Sequence, residues 1–327
     1  MKRIVTLIAF VQFAYFGWAQ QAQLAPQYSM YMLNRYAFNP AYAGLDNSLS
    51  ITGVYRKQWA GLEGSPTTQN INMHLPLYYL RGGFGIGLEN ESLGAEQNTT
   101  ASVSYNYWLP VNKTSLLSIG VGAGIVQKSI DGTKLRAPDG VYEPGAFNHN
   151  DDFIPLTKET AQAPTVNVGV YFQSPKFDVG LSANNLLGSS FAIEANETVN
   201  IGLVQNYFFI FAGAFDIGQN LVLHPSVFAK SDTRQTQAEI SAILKYNGNI
   251  FGGVSFRGYN SDAIDAFSFI GGFKLSEKIT LAYSYDRTLS GLDAVSNGSH
   301  EILINYNLNK SIGAGIPPKV IFNPRFL

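Results

Sequence analysis

The sequence predicts an all-β fold: a transmembrane antiparallel β-barrel of about 14 strands, with short periplasmic turns and long extracellular loops. Three observations predict it. Segments of period two recur along the chain, apolar residues on one face and Gly, Ser, Asn and Thr on the other, which is the strand signature. The connections between them alternate between tight turns and long loops, as in outer-membrane barrels. Beyond residue 19, no apolar run approaches the ~20 residues that a transmembrane helix needs.

The chain opens with an export leader. Lys2 and Arg3 supply its positive end, Ile4 to Phe16 its apolar stretch, and Gly17-Trp18-Ala19 a small-residue site. This predicts a signal peptide over 1–19, cleaved after Ala19. An uncleaved anchor is the alternative, and the stretch is short for one. Residues 20–47 form an N-terminal segment expected in the periplasm. It carries Tyr28, Tyr31, Met32, Tyr36, Phe38 and Tyr42, too aromatic for a free tail. It is expected to pack into the periplasmic mouth of the barrel or onto a partner.

The barrel is expected over 48–308. Its strands read as 48–58, 67–77, 80–91, 97–109, 114–127, 164–174, 176–185, 205–216, 220–230, 235–246, 249–258, 263–274, 277–287 and 299–308. In the fourth, Ala101, Val103, Tyr105 and Tyr107 oppose Ser102, Ser104 and Asn106. In the fifth, Leu117, Ile119, Val121, Ala123 and Ile125 oppose Ser118, Gly120, Gly122 and Gly124. The sixth and seventh set Val166, Val168, Val170 and Phe172 against Asn167, Gly169 and Tyr171, then Phe177, Val179 and Leu181 against Asp178, Gly180 and Ser182. The last two repeat the pattern with Ile279, Leu281, Tyr283 and Tyr285, then Ile302, Ile304, Tyr306 and Leu308, facing lipid. No water in the bilayer serves unpaired backbone groups, so the sheet must close. A soluble sandwich is the competing fold, but it has no reason to segregate loop length by parity.

Tight turns stand at 77–80, 110–113, 174–175, 217–219, 247–248 and 276–277, where Gly, Asn and Pro favour turn geometry. Long loops fall at 61–65, 92–96, 128–163, 186–204 and 288–298. An even strand count returns both termini to the periplasm, leaving 309–327 as a tail. Trp59, Trp108, Tyr79 and Tyr207 are expected in the aromatic girdles. Strand parity places Arg56, Glu89, Asp178, Glu239, Lys245, Arg257, Asp286 and Glu301 in the lumen, either as a bracing network or as a solute or peptide path. Gly85, Gly87, Gly120, Gly122, Gly124, Gly169 and Gly180 on the same face leave room for a side chain, a plug or a ligand.

Composition excludes several function classes. With 22 Lys and Arg against 23 Asp and Glu, and no long basic run, the chain is no nucleic-acid binder. Zero Cys excludes disulfides and Cys-ligated metals. His74, His149, His224 and His300 lack ligand spacing. Gly120-Val121-Gly122-Ala123-Gly124 opens no helix and is wall packing rather than a phosphate loop. No GxSxG marks a nucleophile. The expectation is a non-enzyme without cofactor or metal.

Several motifs carry a more specific resemblance. Gln27-Tyr28-Ser29-Met30-Tyr31-Met32-Leu33-Asn34 is followed by Asn39-Pro40-Ala41-Tyr42-Ala43-Gly44, then Tyr55-Arg56-Lys57-Gln58-Trp59 and Gly64-Ser65-Pro66-Thr67-Thr68. Late in the chain stand His224-Pro225-Ser226, Tyr283-Ser284-Tyr285-Asp286 and Gly298-Ser299-His300-Glu301-Ile302. Together these resemble the PorP/SprF family of Bacteroidetes outer-membrane proteins, from about residue 25 to 308. Thr67 stands where the family usually has Arg, the first motif departs from the family's usual wording, and the 128–163 loop is individual to this chain.

The resemblance implies a non-catalytic component of the type IX secretion system and gliding machinery. It would support secretion or surface attachment of cargo, adhesins among them, with a C-terminal sorting domain. Implied partners are that sorting domain, periplasmic ring or peptidoglycan-binding components, and outer-membrane lipid. The residues offered for partner contact or bracing are Asn39, Pro40, Ala41, Tyr42, Gly44, Arg56, Gln58, Trp59, Ser284, Tyr285, Asp286, Gly298, Ser299, His300 and Glu301. Physically, Arg56, Asp286 and Glu301 are expected to meet as an ion-pair cluster, because the first and last strands of a closed barrel are neighbours. The alternative function is a solute channel.

Overall fold

The period-two segments close into a wall of 14 strands in the computed structural model, which describes residues 25–195, 198–258 and 264–310. The leader, its cleavage site and the tail from residue 311 lie outside the described residues. The strands are β1 (Ser50–Lys57), β2 (Thr67–Leu77), β3 (Gly82–Leu93), β4 (Glu96–Pro110), β5 (Leu116–Asp131), β6 (Lys158–Gln173) and β7 (Phe177–Asn184). They continue as β8 (Asn206–Gly213), β9 (Leu221–Ser231), β10 (Thr236–Tyr246), β11 (Ile250–Arg257), β12 (Ala266–Lys274), β13 (Ile279–Thr288) and β14 (Ser299–Asn307). Each pairs antiparallel with its sequence neighbours, and β1 closes on β14 from Ser50↔Asn307 to Lys57↔His300. After a break at Ala214, Phe215–Asp216 resumes the pairing of β8 with β9.

All fourteen expected strands are present, and the alternation of short turns with long loops defines two different ends. The β5–β6 ladder runs further than periodicity suggested, from Leu116↔Gln173 to Asp131↔Lys158. The loop between them therefore shrinks to 132–157, which holds a small hairpin of Val141–Glu143 and Ala146–Asn148. A second hairpin, Ser190–Ile193 with Val199–Gly202, stands where only loop was expected. It folds inward and packs Phe191 and Ile193 on Val126, Ile130 and Ala163, forming a small core at the long-loop end.

Parity assigns the faces as the sequence suggests. Ile71, Leu88, Ile119, Val121, Ile125, Leu181, Ile240 and Ile304 are exposed on the outer face, while Asn106, Ser118 and Ser284 are buried inside. Trp108 is a correction: it is not in a girdle but in the lumen, 3% exposed, edge-on to Tyr78 at 5.9 Å. It shares the even parity of Ser104 and Asn106, and parity overrides the aromatic preference for the interface.

The N-terminal segment is the larger correction. Residues 25–47 do not stay at the short-turn mouth; they thread the lumen. Ala25 lies near the long-loop end, where its carbonyl accepts from Lys230 Nζ at 2.7 Å. The chain then descends through 3₁₀ turns Tyr31–Leu33, Arg35–Ala37 and Pro40–Tyr42. It leaves past Leu75 and Pro76 at the short-turn end and enters β1. Six aromatic and sulfur side chains need more apolar cover than a shallow mouth offers; in the lumen Tyr31 stacks on Phe228 at 4.8 Å and Phe38 packs on it at 4.7 Å.

Glycines on the inner wall make that path. A Cβ at Gly120 would stand 2.5 Å from the Ala41 nitrogen, and Cβ atoms at Gly85 and Gly169 would collide with Tyr36 and Asn39. Overpacking of this kind costs about 1–3 kcal/mol or more. Gly120→Leu is therefore expected to lower the temperature at which the folded, fast-migrating band disappears on a semi-native gel. Gly271→Ala, where an added Cβ meets nothing within 4 Å, is expected to leave it unchanged.

Candidate functional site

The plug is held by two polar knots, one towards each end of the barrel. The upper knot centres on Ser29. Its backbone N–H donates to Glu301 Oε2 at 2.7 Å, and the N–H of Met30 donates to Glu301 Oε1 at 3.1 Å. The Ser29 hydroxyl donates to Asp286 Oδ2 at 2.6 Å and accepts from Arg56 Nη1 at 3.0 Å and Arg257 Nη2 at 2.8 Å. Arg56 spans both acids, reaching Asp286 at 2.7 Å and Glu301 at 3.0 Å. Arg257 pairs with Glu239 at 2.8 Å and reaches Asp286 at 3.4 Å.

This knot draws on β1, β10, β11, β13 and β14, and register explains the meeting. Arg56 lies opposite Glu301 across the β1–β14 seam, and Glu239 lies opposite Arg257 across β10–β11. All five charged side chains are at most 4% exposed. Buried charges in a low-dielectric interior survive only when paired and hydrogen-bonded. A two-residue backbone turn of the plug completes that pairing.

The lower knot is built by the Asn39–Gly44 motif. Asn39 Oδ1 caps the 3₁₀ turn through Ala41 N at 2.9 Å, while its Nδ2 donates to the carbonyls of Val170 and Leu181, each at 3.1 Å. Asn106 Nδ2 donates to the carbonyls of Ala41 and Ala43 at 2.8 Å, and Ser118 Oγ to that of Ala41 at 2.6 Å. Pro40 starts the turn. Tyr42 donates to Asp46 at 2.7 Å and meets the Tyr171 ring edge-on. Gly44 has φ +73°, and a Cβ there would stand 2.7 Å from the Leu75 carbonyl oxygen. Between the knots, Arg35 pairs with Asp178 at 2.6 Å.

The sequence-derived residues thus fall into separate groups. Asn39, Pro40, Ala41, Tyr42 and Gly44 form the lower knot; Arg56, Asp286 and Glu301 meet in the upper one. Trp59, Gly298 and Ser299 form an outer splice instead: Trp59 N donates to Ser299 Oγ at 3.0 Å, and Ala60 N to the Gly298 carbonyl at 2.7 Å, while Gln58 N donates to the Pro66 carbonyl at 2.9 Å. Tyr285 and His300 face outward, their rings 5.3 Å apart, and His300 Nδ1 meets the Tyr283 hydroxyl at 2.7 Å. Ser284 lines the lumen. The motif candidates do not include Ser29, Arg35, Asn106, Glu239 and Arg257. Strand parity points Asn106, Glu239 and Arg257 inward, but only the threaded plug shows what they hold.

Within the plug, the buried Tyr28 hydroxyl donates to Glu89, and the Tyr36 hydroxyl meets Ser104 Oγ at 2.8 Å. Among the described residues, no group of three or more His, Asp or Glu is placed to hold a metal ion.

The family described as "Type IX secretion system membrane protein PorP/SprF" matches residues 20–306. No curated protein matches the chain. Among solved structures, the chain is similar to the Ralstonia pickettii toluene transporter TbuX, at 10% identity and TM-score 0.49, covering 91% of this chain and 99% of that one. The P. putida toluene transporter TodX gives 10% identity, TM-score 0.46 and coverages of 84% and 93%. Omp33 of Acinetobacter baumannii gives 9%, 0.43, 80% and 98%.

Arg56→Ala removes the cation shared by two buried acids. Breaking one side of a buried pair costs about 3–5 kcal/mol. The variant is expected to lose its folded gel band at a lower temperature than the parent, with Arg56→Lys intermediate because a lysine cannot span both carboxylates.

Proposed function

The chain belongs to the PorP/SprF family of type IX secretion system membrane proteins, and from that premise we propose that it supports secretion or surface attachment of cargo, adhesins among them, with a C-terminal sorting domain. It acts as a non-catalytic part of the outer-membrane machinery, including that of gliding. The observation that carries this reading over a channel is the plug: residues 25–47 thread the lumen from end to end, tied at both ends. A barrel closed in this way offers its loops, its turns and its plug for contact rather than an open path.

The two ends suit two kinds of partner. The long-loop end, with the 132–157 loop and the inward hairpin, is the side for cargo. The short-turn end, where the plug leaves the lumen, is the side for periplasmic ring or peptidoglycan-binding components. Exposed Phe147, Phe153 and Leu156 on the long loop give it an apolar contact surface.

Deleting 132–157 is expected to impair delivery of a particular cargo while the barrel still folds, checked by secretion assays and the folded gel band. Undisturbed secretion and display of every sorting-domain cargo in a knockout would overturn the reading. In planar bilayers the intact protein is expected to show no steady conductance, and a variant lacking residues 25–44 to show stepwise openings.

A further inference from the structure

Above the plug the lumen is not filled. A cavity of about 530 Å³ lies between the plug and strands β2 to β8, running from Tyr36 and Asn39 up to Glu96 and Lys128 at the long-loop end. That volume falls within the range of ligand pockets, roughly 300–1,000 Å³. Its roof is the inward hairpin, through Phe191, Ile201 and Leu203.

The lining is amide-rich, and its carboxylates are engaged by the protein. Glu96 is paired with Lys128 at 2.6 Å, and Glu89 accepts from Tyr28 and from Asn70 at 3.2 Å. Glu91, 7% exposed, is engaged as well. Acids outnumber the one lysine of the lining, so the cavity disfavours an anion, and none of the three carboxylates is left unengaged for a strong cation. It has spare hydrogen-bonding capacity instead. Asn72 is 2% exposed, and its Oδ1 has no partner; nor has Asn184 Oδ1. Asn98, Thr100 and Ser102 line the same wall with no side-chain hydrogen bond among the described residues.

Aromatic faces decide between neutral polar ligands. Sugars bind well where a ring face is free to stack. Here Tyr28 and Phe38 meet edge to face at 5.7 Å, and Phe38 and Phe208 pack on Phe228 at 4.7 and 6.1 Å. These rings pack on each other, Tyr36 packs on His74 at 5.2 Å, and Phe191, 2% exposed, lies in the hairpin core, so the aromatic residues of the lining are engaged by protein neighbours. What remains are amides and hydroxyls, each able to donate and to accept, which suits the N–H and C=O groups of a polypeptide main chain.

We propose that this cavity binds a short, neutral, extended peptide segment of a partner protein, entering from the long-loop end and read through its main chain by Asn72, Asn98, Thr100, Ser102 and Asn184. The proposal deepens the secretion reading and rests on it for the source of the peptide: an exported partner. Recognition through the main chain makes the site tolerant of side-chain sequence, and its size limits it to about four residues.

The test uses the purified full-length protein in detergent. The probes are hexapeptides rich in Ser, Thr and Gly, N-acetylated and C-amidated, their uncapped carboxylate forms, and maltotriose, followed by titration calorimetry and native mass spectrometry. Saturable binding of the capped peptides, at least ten-fold tighter than of the carboxylate forms or maltotriose, is expected. Asn98→Leu and Ser102→Trp are expected to weaken it ten-fold or more with the folded gel band unchanged. No saturable peptide binding would overturn the proposal, as would maltotriose binding as tightly. Binding that appears only once the residues before Ala25 are removed would also overturn it, since those residues would then be the occupant. In cells, a knockout phenotype rescued fully by Ser102→Trp would sink the cavity site and leave the secretion role standing. A knockout without phenotype, beside intact peptide binding, would do the reverse.

Discussion

Everything in this barrel depends on giving the backbone of the plug its partners. A closed wall satisfies its own N–H and C=O groups in the ladders, but a segment with only short 3₁₀ turns inside the lumen leaves most of its groups unpaired. Each such group left bare in a water-poor interior costs about 1–3 kcal/mol. The wall answers with side chains: Glu301 for two successive N–H groups, Asn106 and Ser118 for the carbonyls around Ala41, Lys230 for that of Ala25. The polar inner face is thus a template for one particular backbone path.

That template explains why charges of both signs are tolerated so deeply. Glu301 is fixed by the plug, Arg56 by Glu301 and Asp286, and Arg257 by Asp286 and Glu239. Each charge is paired with a neighbour on the next strand or the one beyond, and the plug's N–H groups serve the carboxylate in excess, so barrel closure and plug docking reinforce each other. Charge-assisted hydrogen bonds contribute about 1.5–3 kcal/mol each. Several must break together to move Ser29, which places plug release far above thermal energy.

The wall was legible in the sequence because a strand with lipid on one side and a lumen on the other has to alternate. Val166-Asn167-Val168-Gly169-Val170 can be read in only one register. The Arg56–Glu301 meeting was legible too, since closure makes β1 and β14 neighbours whatever the details. The path of residues 25–47 was not, because 3₁₀ turns of three residues carry no period and the aromatic content says only that cover is needed. The inner glycines held the missing signal, but a bare Gly face reads equally as space for a plug or a ligand. Here the face is divided: Gly85, Gly120 and Gly169 admit the plug, while Gly87 and Gly122 line the cavity beside it. The 190–202 hairpin escaped notice because its strands are four residues each, too short to show alternation.

The plug and the cavity divide the lumen between them. Below, the plug is clamped by a capped turn, by close backbone contact at glycines, and by Asn106 reaching three of its carbonyls, so that end is rigid. Above, the wall keeps rising on one side only: β4, β5 and β6 run 15, 16 and 16 residues, against 8 for β7, β8 and β11. On that taller side the outward residues turn polar, with Gln162 donating to Gln127 and Lys158 to Gln97 across the strands. A polar outer ladder belongs in water, so the tall section stands clear of the apolar band. Its inner face, covered by the small hairpin and bordering the cavity, then lies at the long-loop end, while the clamped plug occupies the lumen beneath. The raised rim and the closure of the barrel below it are consequently properties of one fold, and the proposed partner contact at that rim does not require the plug to move.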